Sequence, residues 1–360
     1  MKKHFFHTLS LAAILLFMGQ GCVSIRNNDA AGNGPAGVFV STDRGESWQG
    51  ISSYPTTEGV KDISAASVYR LVQDPQDVHG LYWATRAQGF FYSYDDGKTW
   101  QRPGESVNTG FIYSIAVHPA DKCTIYASTG NMVYRSTDCN RTWAQVYQEN
   151  ENDTLRSVVI NPFSPHQIFI MKQRGDILMS SDAGISWELV TYFQDGGLSD
   201  MFADPLVQGR YYVATQEEGM FRSTNFGKTW ESLEEGLSGF SGGLEYRRFL
   251  VYPSRKDLLY YVSTYGIHRS EDGGTTWEAL ELIHPPGSAR IYGFDVNPQN
   301  EKELYYTATI NDRSTFYKSI DGGQSWITKK LPTDQIPTAL QIHPKEQSWV
   351  YLGFTIPPSQ

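Results

Sequence analysis

Cysteine is scarce in this chain, at three residues in 360. That excludes a small disulfide-built scaffold, and no His/Cys cluster has the spacing of a zinc site. Positive charge is also short: 30 Lys and Arg face 39 Asp and Glu, for a formal net charge of −9. With no long basic run, nucleic acid is not an expected partner. Glycine is plentiful, yet no phosphate-cradling glycine loop is present. Tyr94-Asp95-Asp96-Gly97 resembles part of a calcium loop but lacks the bidentate Glu that such a loop needs. No metal and no other cofactor is therefore expected. Beyond residue 22, no apolar run approaches the roughly 20 residues that cross a bilayer.

The first residues differ from the rest. Lys2 and Lys3 give a basic start, Phe5 to Met18 is mostly apolar, and Gly19 and Gly21 lead to Cys22. Residues 1–21 read as an export signal, too short and wrongly flanked for a membrane helix. Cys22 after Gly21 resembles a bacterial lipobox, in which the cysteine is acylated. Gly19 departs from the usual leucine, and an ordinary signal cut nearby is the alternative. Residues 22–35 then form the lipidated Cys22 and a flexible tether rich in Asn, Gly and Ala. The expected location is the bacterial cell envelope, at the outer membrane, on its periplasmic side or at the cell surface. The membrane would be met through the lipid only. Export also permits a disulfide. Cys123 and Cys139 would face each other in a hairpin turning near Thr129–Asn131, a bond worth roughly 3 kcal/mol through loop closure. Two free thiols are the alternative.

What the chain has in abundance is one repeated phrase, Ser-x-Asp-x-Gly-x-x-Trp. It begins at Ser41, Ser93, Ser136, Ser180, Ser223, Ser270 and Ser319. Its marker residues are Asp43 and Trp48, Asp95 and Trp100, Asp138 and Trp143, Asp182 and Trp187, Asn225 and Trp230, Asp272 and Trp277, and Asp321 and Trp326. A period of about 40 to 50 residues with strand-like filling is that of a propeller blade. The serine and aspartate fix a turn by bonding to backbone N–H groups, glycine supplies the positive φ, and the indole is buried. Asn140 in the third copy and Asn225 in the fifth replace Gly and Asp with residues that suit the same turn.

A second marker accompanies each copy. Strand-like runs end at Pro75, Pro119, Pro162, Pro205, Pro253, Pro298 and Pro344. In the unit from Phe111 to Trp143, three alternating runs separated by turns lead into the phrase, and a fourth strand starts at its Trp. The chain ends complete the count. One strand, Gly37–Val40, precedes the first phrase, and two follow the last, Thr338–His343 and Trp349–Phe354. Residues 36–356 are thus expected to form an all-β, seven-bladed propeller of four-stranded antiparallel blades, closed by N- and C-terminal strands sharing one blade.

The phrase resembles the Asp-box, or bacterial neuraminidase repeat, over nearly all of residues 36–355. The same box occurs in sialidases, xyloglucanase-type glycosidases, sortilin-type receptors and the photosystem II assembly and stability factor family. The resemblance therefore implies the fold and leaves the function to the site. Sialidases grip a carboxylate with three arginines, which Arg70, Arg156 and Arg247 could imitate. The Arg-Ile-Pro signature of those enzymes is absent, and their propeller usually has six blades. Xyloglucanase-type enzymes place two catalytic carboxylates across two propellers, whereas this chain offers one. Asp200, Glu245 and Asp295 are carboxylates without a supporting motif.

The Pro turns and Asp boxes should share one face. The other carries the variable connections, Gln49–Ser64, Trp187–Ser199 and Glu231–Glu245 among them. Counting back from each Pro puts Tyr69, Arg70, Tyr113, Arg156, Arg247, Arg248 and Tyr292 near that face. Loops between second and third strands add Arg86, Arg174, Tyr265 and Arg313. Arginine with tyrosine suits recognition of carboxylates or phosphates and is common at interface hot spots. The alternative is plain channel lining, with these arginines paired to Asp200, Glu217, Glu218, Glu245 or Asp312. The reading that follows is a non-catalytic envelope lipoprotein, monomeric, that serves as a scaffold or assembly factor for a protein partner, a membrane complex being one candidate. A glycan-binding or glycan-cleaving surface protein is the alternative.

Overall fold

The computed structural model describes residues 34–150, 152–194 and 197–357. The expected signal, Cys22 and nearly all of the tether lie outside the described residues. Alternating aromatic and β-branched runs pair as the repeat predicts. In the unit used above, Ser114–His118, Asp121–Ser128, Met132–Ser136 and Ala144–Gln148 form one antiparallel sheet in chain order. Among the described residues seven antiparallel sheets, six of four strands and one of three, form the blades of a propeller, with two short 3-10 turns at Glu105–Val107 and Glu234–Gly236. The central pair of strands in each blade carries the core. Second strands such as Ile168–Lys172, Tyr211–Thr215 and Leu259–Ser263 are buried along their whole length, as strands covered on both faces must be.

The seventh blade joins the chain ends. Ile336–Ile342, Val350–Thr355, Gly37–Ser41 and Gln49–Gly50 lie side by side, with Val38 opposite Gly353 and Val40 opposite Tyr351. Neither end leaves an open sheet edge facing the first blade, so the ring closes on itself.

The first blade departs from the four-stranded pattern. Arg70–Gln73, Leu81–Ala84 and Phe90–Ser93 are full strands, but the fourth is reduced to one bridge between Tyr92 and Gln101. Pro103 follows closely and has no N–H to continue a ladder. The connection Gln49–Ser64 also departs from expectation. It folds into a hairpin, Ser53–Thr56 against Gly59–Asp62, and turns back along the first blade's Asp box, where the Trp100 N–H donates to the Ser53 carbonyl (2.8 Å).

The Asp boxes share one geometry. In the first, the Ser41 hydroxyl donates to Asp43 (2.7 Å) and accepts from the Gly45 N–H (2.7 Å). Asp43 also accepts from the Ser47 N–H (2.8 Å) and takes the Ser47 hydroxyl. That last hydroxyl is present in every copy, as Ser47, Thr99, Thr142, Ser186, Thr229, Thr276 and Ser325. Asn225 keeps the pattern by accepting from Ser223 and donating to Thr229 (2.8 Å). The turn needs two consecutive residues at positive φ, so Arg44, Asp96, Cys139, Ala183 and Phe226 hold φ of 58–65° just before the Gly or Asn. Cys139 is also bonded to Cys123, with Cα atoms 3.9 Å apart.

The residue before six of the seven marker prolines has a role as well. Asp74, His118, Asn161, Asp204, Asn297 and His343 all accept backbone N–H groups from the turn that follows. His118 and His343 do so through Nδ1.

Candidate functional site

The innermost strands line the channel, and their first residues open on the face opposite the Asp boxes. Three consecutive blades put a row of rings and cations there. Arg86 lies over the rings of Tyr69 (5.0 Å) and Phe111 (5.3 Å). Phe111 meets Tyr69 edge-on (4.7 Å) and stacks on Tyr113 (3.9 Å). Arg156 lies over Tyr113 (5.5 Å) and Arg70 over Tyr69 (5.6 Å). Among the described residues no carboxylate pairs with Arg86 or Arg156. Their guanidinium faces are held by rings while the N–H edges remain free to donate.

The other arginines of the sequence set have different surroundings. Arg70 also reaches down the channel, where its Nη2 donates to Asp200 Oδ2 (2.7 Å). Asp200 is buried and further accepts from the hydroxyls of Ser157 (2.7 Å) and Tyr246 (3.4 Å). Arg248 donates to the Leu340 carbonyl (3.2 Å), and its buried Nε has no partner. Burial pushes the Arg248 pKa down, against the opposing pull of Asp295. Arg247 is held by Thr264 (2.8 Å) and Glu245 (3.7 Å). Arg70 and Arg247 are thus paired with two of the carboxylates named for the channel-lining alternative, Arg248 bonds to a backbone carbonyl, and Arg86 and Arg156 have no carboxylate partner among the described residues.

Tyr265 packs on Phe240 (5.1 Å) and His268 (5.5 Å), and Tyr292 is exposed on the sixth blade. Arg174 and Arg313 are exposed, on the third and sixth blades, and their guanidinium groups have no carboxylate partner among the described residues. Two residues on from Arg174, the Asp176 carboxylate is held by Lys172 (2.9 Å).

Asp295 is the second channel carboxylate. It accepts from the N–H groups of Ile342 (2.8 Å) and Val296 (2.9 Å), and burial pushes its pKa up from 3.8 to about 6, with Arg248 opposing. The folded state thus holds a proton between about pH 4 and 6 that the unfolded chain releases. Stability tied to this group is greatest below that window and falls as pH rises through it. Asp295→Asn should flatten this part of the Tm-versus-pH curve. An unchanged slope in the variant would refute the assignment.

A third cluster was invisible in the sequence. Ligand-capable atoms of His79, Asp96 and His343 lie within 4.8 Å of one another at the seam between the first and seventh blades. His79 Nδ1 is 2.8 Å and His343 Nε2 3.4 Å from Asp96 Oδ1. Three such groups can hold a metal in principle. However, His343 Nδ1 accepts two backbone N–H groups, from Lys345 (3.1 Å) and Glu346 (2.8 Å). Its proton must then sit on Nε2, the atom a metal would need free. The set is better described as a hydrogen-bonded His79–Asp96 pair in the first blade that His343 Nε2 of the seventh blade faces across the seam.

Comparisons with known proteins agree with this architecture. The BNR/Asp-box repeat model matches residues 91–102, and the BNR-Asp box repeat model matches residues 220–233. The chain is a β-propeller that carries Asp-box repeats. It is 25% identical over 215 residues to the xyloglucanase Xgh74A of Acetivibrio thermocellus, covering 48% of this chain and 26% of that protein. The chain thus spans about a quarter of the length of that curated relative. Among solved structures it resembles the GH74 xyloglucanase of Xanthomonas campestris, with a TM-score of 0.65 at 19% identity over 81% of this chain and 51% of the other. It also resembles YCF48 bound to D1 peptide, with a TM-score of 0.60 at 16% identity over 81% of this chain and 94% of the other. At these identities the structural likenesses concern the fold.

Proposed function

We propose that this propeller is a non-catalytic recognition module that binds a carboxylate-bearing segment of a protein partner. The observation that supports it best is the row Tyr69, Phe111 and Tyr113 with the unpaired Arg86 and Arg156. A guanidinium seated on a ring is pre-organised, and its N–H fork suits a carboxylate. The same arrangement disfavours a sugar at this place. The ring faces that a pyranose would stack on are already covered by guanidinium groups or by a neighbouring ring. Among proteins of this fold, YCF48 is known bound to a D1 peptide. Export and acylation at Cys22 would place the module on the bacterial envelope. Cys22→Ser should then move the protein from the membrane fraction to the soluble one.

Binding of a hexaglutamate peptide, measured by calorimetry at low and high salt, tests the reading. The wild type should bind, and Arg86→Glu/Arg156→Glu should weaken binding by at least about tenfold, the loss expected for two charge-assisted contacts. Equal binding by both proteins, or by neither, would refute it.

The second reading, a glycoside hydrolase, has two observations in its favour: the xyloglucanase relatives and the raised pKa of Asp295. A glycosidase needs a proton-bearing acid and a second carboxylate free to act as base or nucleophile. Here Asp200 is committed to Arg70, Ser157 and Tyr246, and both oxygens of Asp295 accept backbone N–H groups. No reducing ends should appear when the protein is incubated with xyloglucan. Release that is abolished by Asp200→Asn or Asp295→Asn would establish the enzyme instead.

A further inference from the structure

The hairpin Ser53–Thr56/Gly59–Asp62 covers a cleft of about 510 Å³ between the seventh and first blades. We propose that this cleft binds a neutral sugar ring of a glycan. Its volume falls within the range of small-ligand sites. Trp349 forms part of the wall, half-buried, touched edge-on by His343 (5.6 Å) and with no cation over its ring. A half-buried indole without a cation, set beside polar groups, differs from the arginine-covered row.

The polar lining points to hydroxyl groups rather than to charge. Two lysines and two aspartates are present, and each has an internal claim on it. Lys61 pairs with Glu58 (2.9 Å), and Asp62 accepts from the N–H and hydroxyl of Ser64 (2.8 and 3.0 Å). Lys98 lies 3.7 Å from Asp96 Oδ2, and Asp96 Oδ1 faces His79 and His343. The charges cancel, so neither an anion nor a cation gains from entry.

What remains unsatisfied is neutral or accepting. The hydroxyls of Thr42 and Ser53 and the amide of Gln49 make no hydrogen bond within the described residues, and Asp96 Oδ2 accepts none. Together they offer a mixed set of donors and acceptors around an aromatic wall, which matches the alternating hydroxyls and apolar face of a pyranose. The hairpin itself is a two-stranded ribbon, which has little stability alone. It is held at its base by the Ile63 N–H to the Ser52 carbonyl (3.0 Å) and by Trp100 to Ser53. Its Val60 side chain is 71% exposed at the cleft. It is placed to close over a bound ring.

Calorimetry with cellotetraose and with the tetramer of N-acetylglucosamine tests the proposal, independently of the peptide reading. At least one should bind with a dissociation constant in the millimolar range or below. Trp349→Ala should weaken it about tenfold or more, as losing an aromatic anchor does. Because Trp349 also packs on the core, Gln49→Ala/Ser53→Ala serves as a second variant that alters only exposed or half-buried polar groups. It should weaken binding as well. Arg86→Glu/Arg156→Glu should leave it unchanged. The proposal is overturned if neither sugar binds, if both cleft variants bind like the wild type, or if the arginine variant abolishes binding.

Discussion

Replacing Arg70 by methionine should lower folding stability by about 3 kcal/mol, because it leaves a buried carboxylate without its cation. The pair spans the channel from the first blade to the fourth, with Asp200 only 6% exposed. Ser157 and Tyr246 would still donate to Asp200, which holds the loss toward the lower end of what breaking a buried pair costs. Asp200→Asn should cost less, since an amide can still accept from Ser157 and Arg70 keeps one edge toward Tyr69. The double variant should lose less than the sum of the two, which is the signature of direct coupling. Urea midpoints of the four proteins measure all three terms. If Arg70→Met melts within about 1 kcal/mol of the wild type, the pair is ornamental in the energetic sense and behaves as exposed ion pairs do.

The same pair illustrates where sequence reading stopped. The blade count, the strand order and the blade shared by the chain ends were legible, because each depends on local signals repeated at a period. In each copy the box serine bonds to the acid or amide two residues on, and each marker proline falls within two residues of the end of an inner strand. The fate of an arginine depends instead on what faces it across the channel. Arg70 and Asp200 are 130 residues apart, and nothing near either one announces the other. Arg247 has Glu245 two residues away in the chain, whereas the rings under Arg86 come from Tyr69 and Phe111, 17 and 25 residues distant. The set chosen from the sequence therefore did not separate arginines paired with carboxylates, such as Arg70 and Arg247, from those without such a partner among the described residues, such as Arg86 and Arg156.

Two signals could have been read and were not. The hydroxyl before every box tryptophan is as regular as the aspartate it bonds. The Asp, His or Asn before six of the seven marker prolines is the cap of its turn. The second of these explains His343 without a metal. Its Nδ1 is committed to the turn, and only then does Nε2 come to face Asp96. The hairpin over the cleft had no such signal. Its length was visible, but its direction is set by Trp100, whose N–H groups take the carbonyls of Ser53 and Ile51.

That tryptophan carries the second large prediction. Trp100→Ala should cost about 3–5 kcal/mol, the range for deleting a fully buried aromatic. The equivalent changes at Trp187 or Trp326 should cost clearly less. Trp100 is fully buried, whereas Trp187 and Trp326 are half-buried at their blade edges. It meets Trp83 at 5.3 Å, donates its indole N–H to Ile51 (2.8 Å), and packs in the cluster that joins Val38 and Tyr351 of the seventh blade to the first. The first blade has only a stub for a fourth strand, so this ring and the hairpin it anchors take over the covering that outer strands such as Ala144–Gln148 and Glu188–Tyr192 give elsewhere. Losing it removes core area and loosens the place where the chain ends close the ring. Stability from urea midpoints and limited proteolysis should both register this, with the first cut in Trp100→Ala falling in residues 53–62. If Trp187→Ala costs as much as Trp100→Ala, the seam is no more dependent on its tryptophan than any other blade edge.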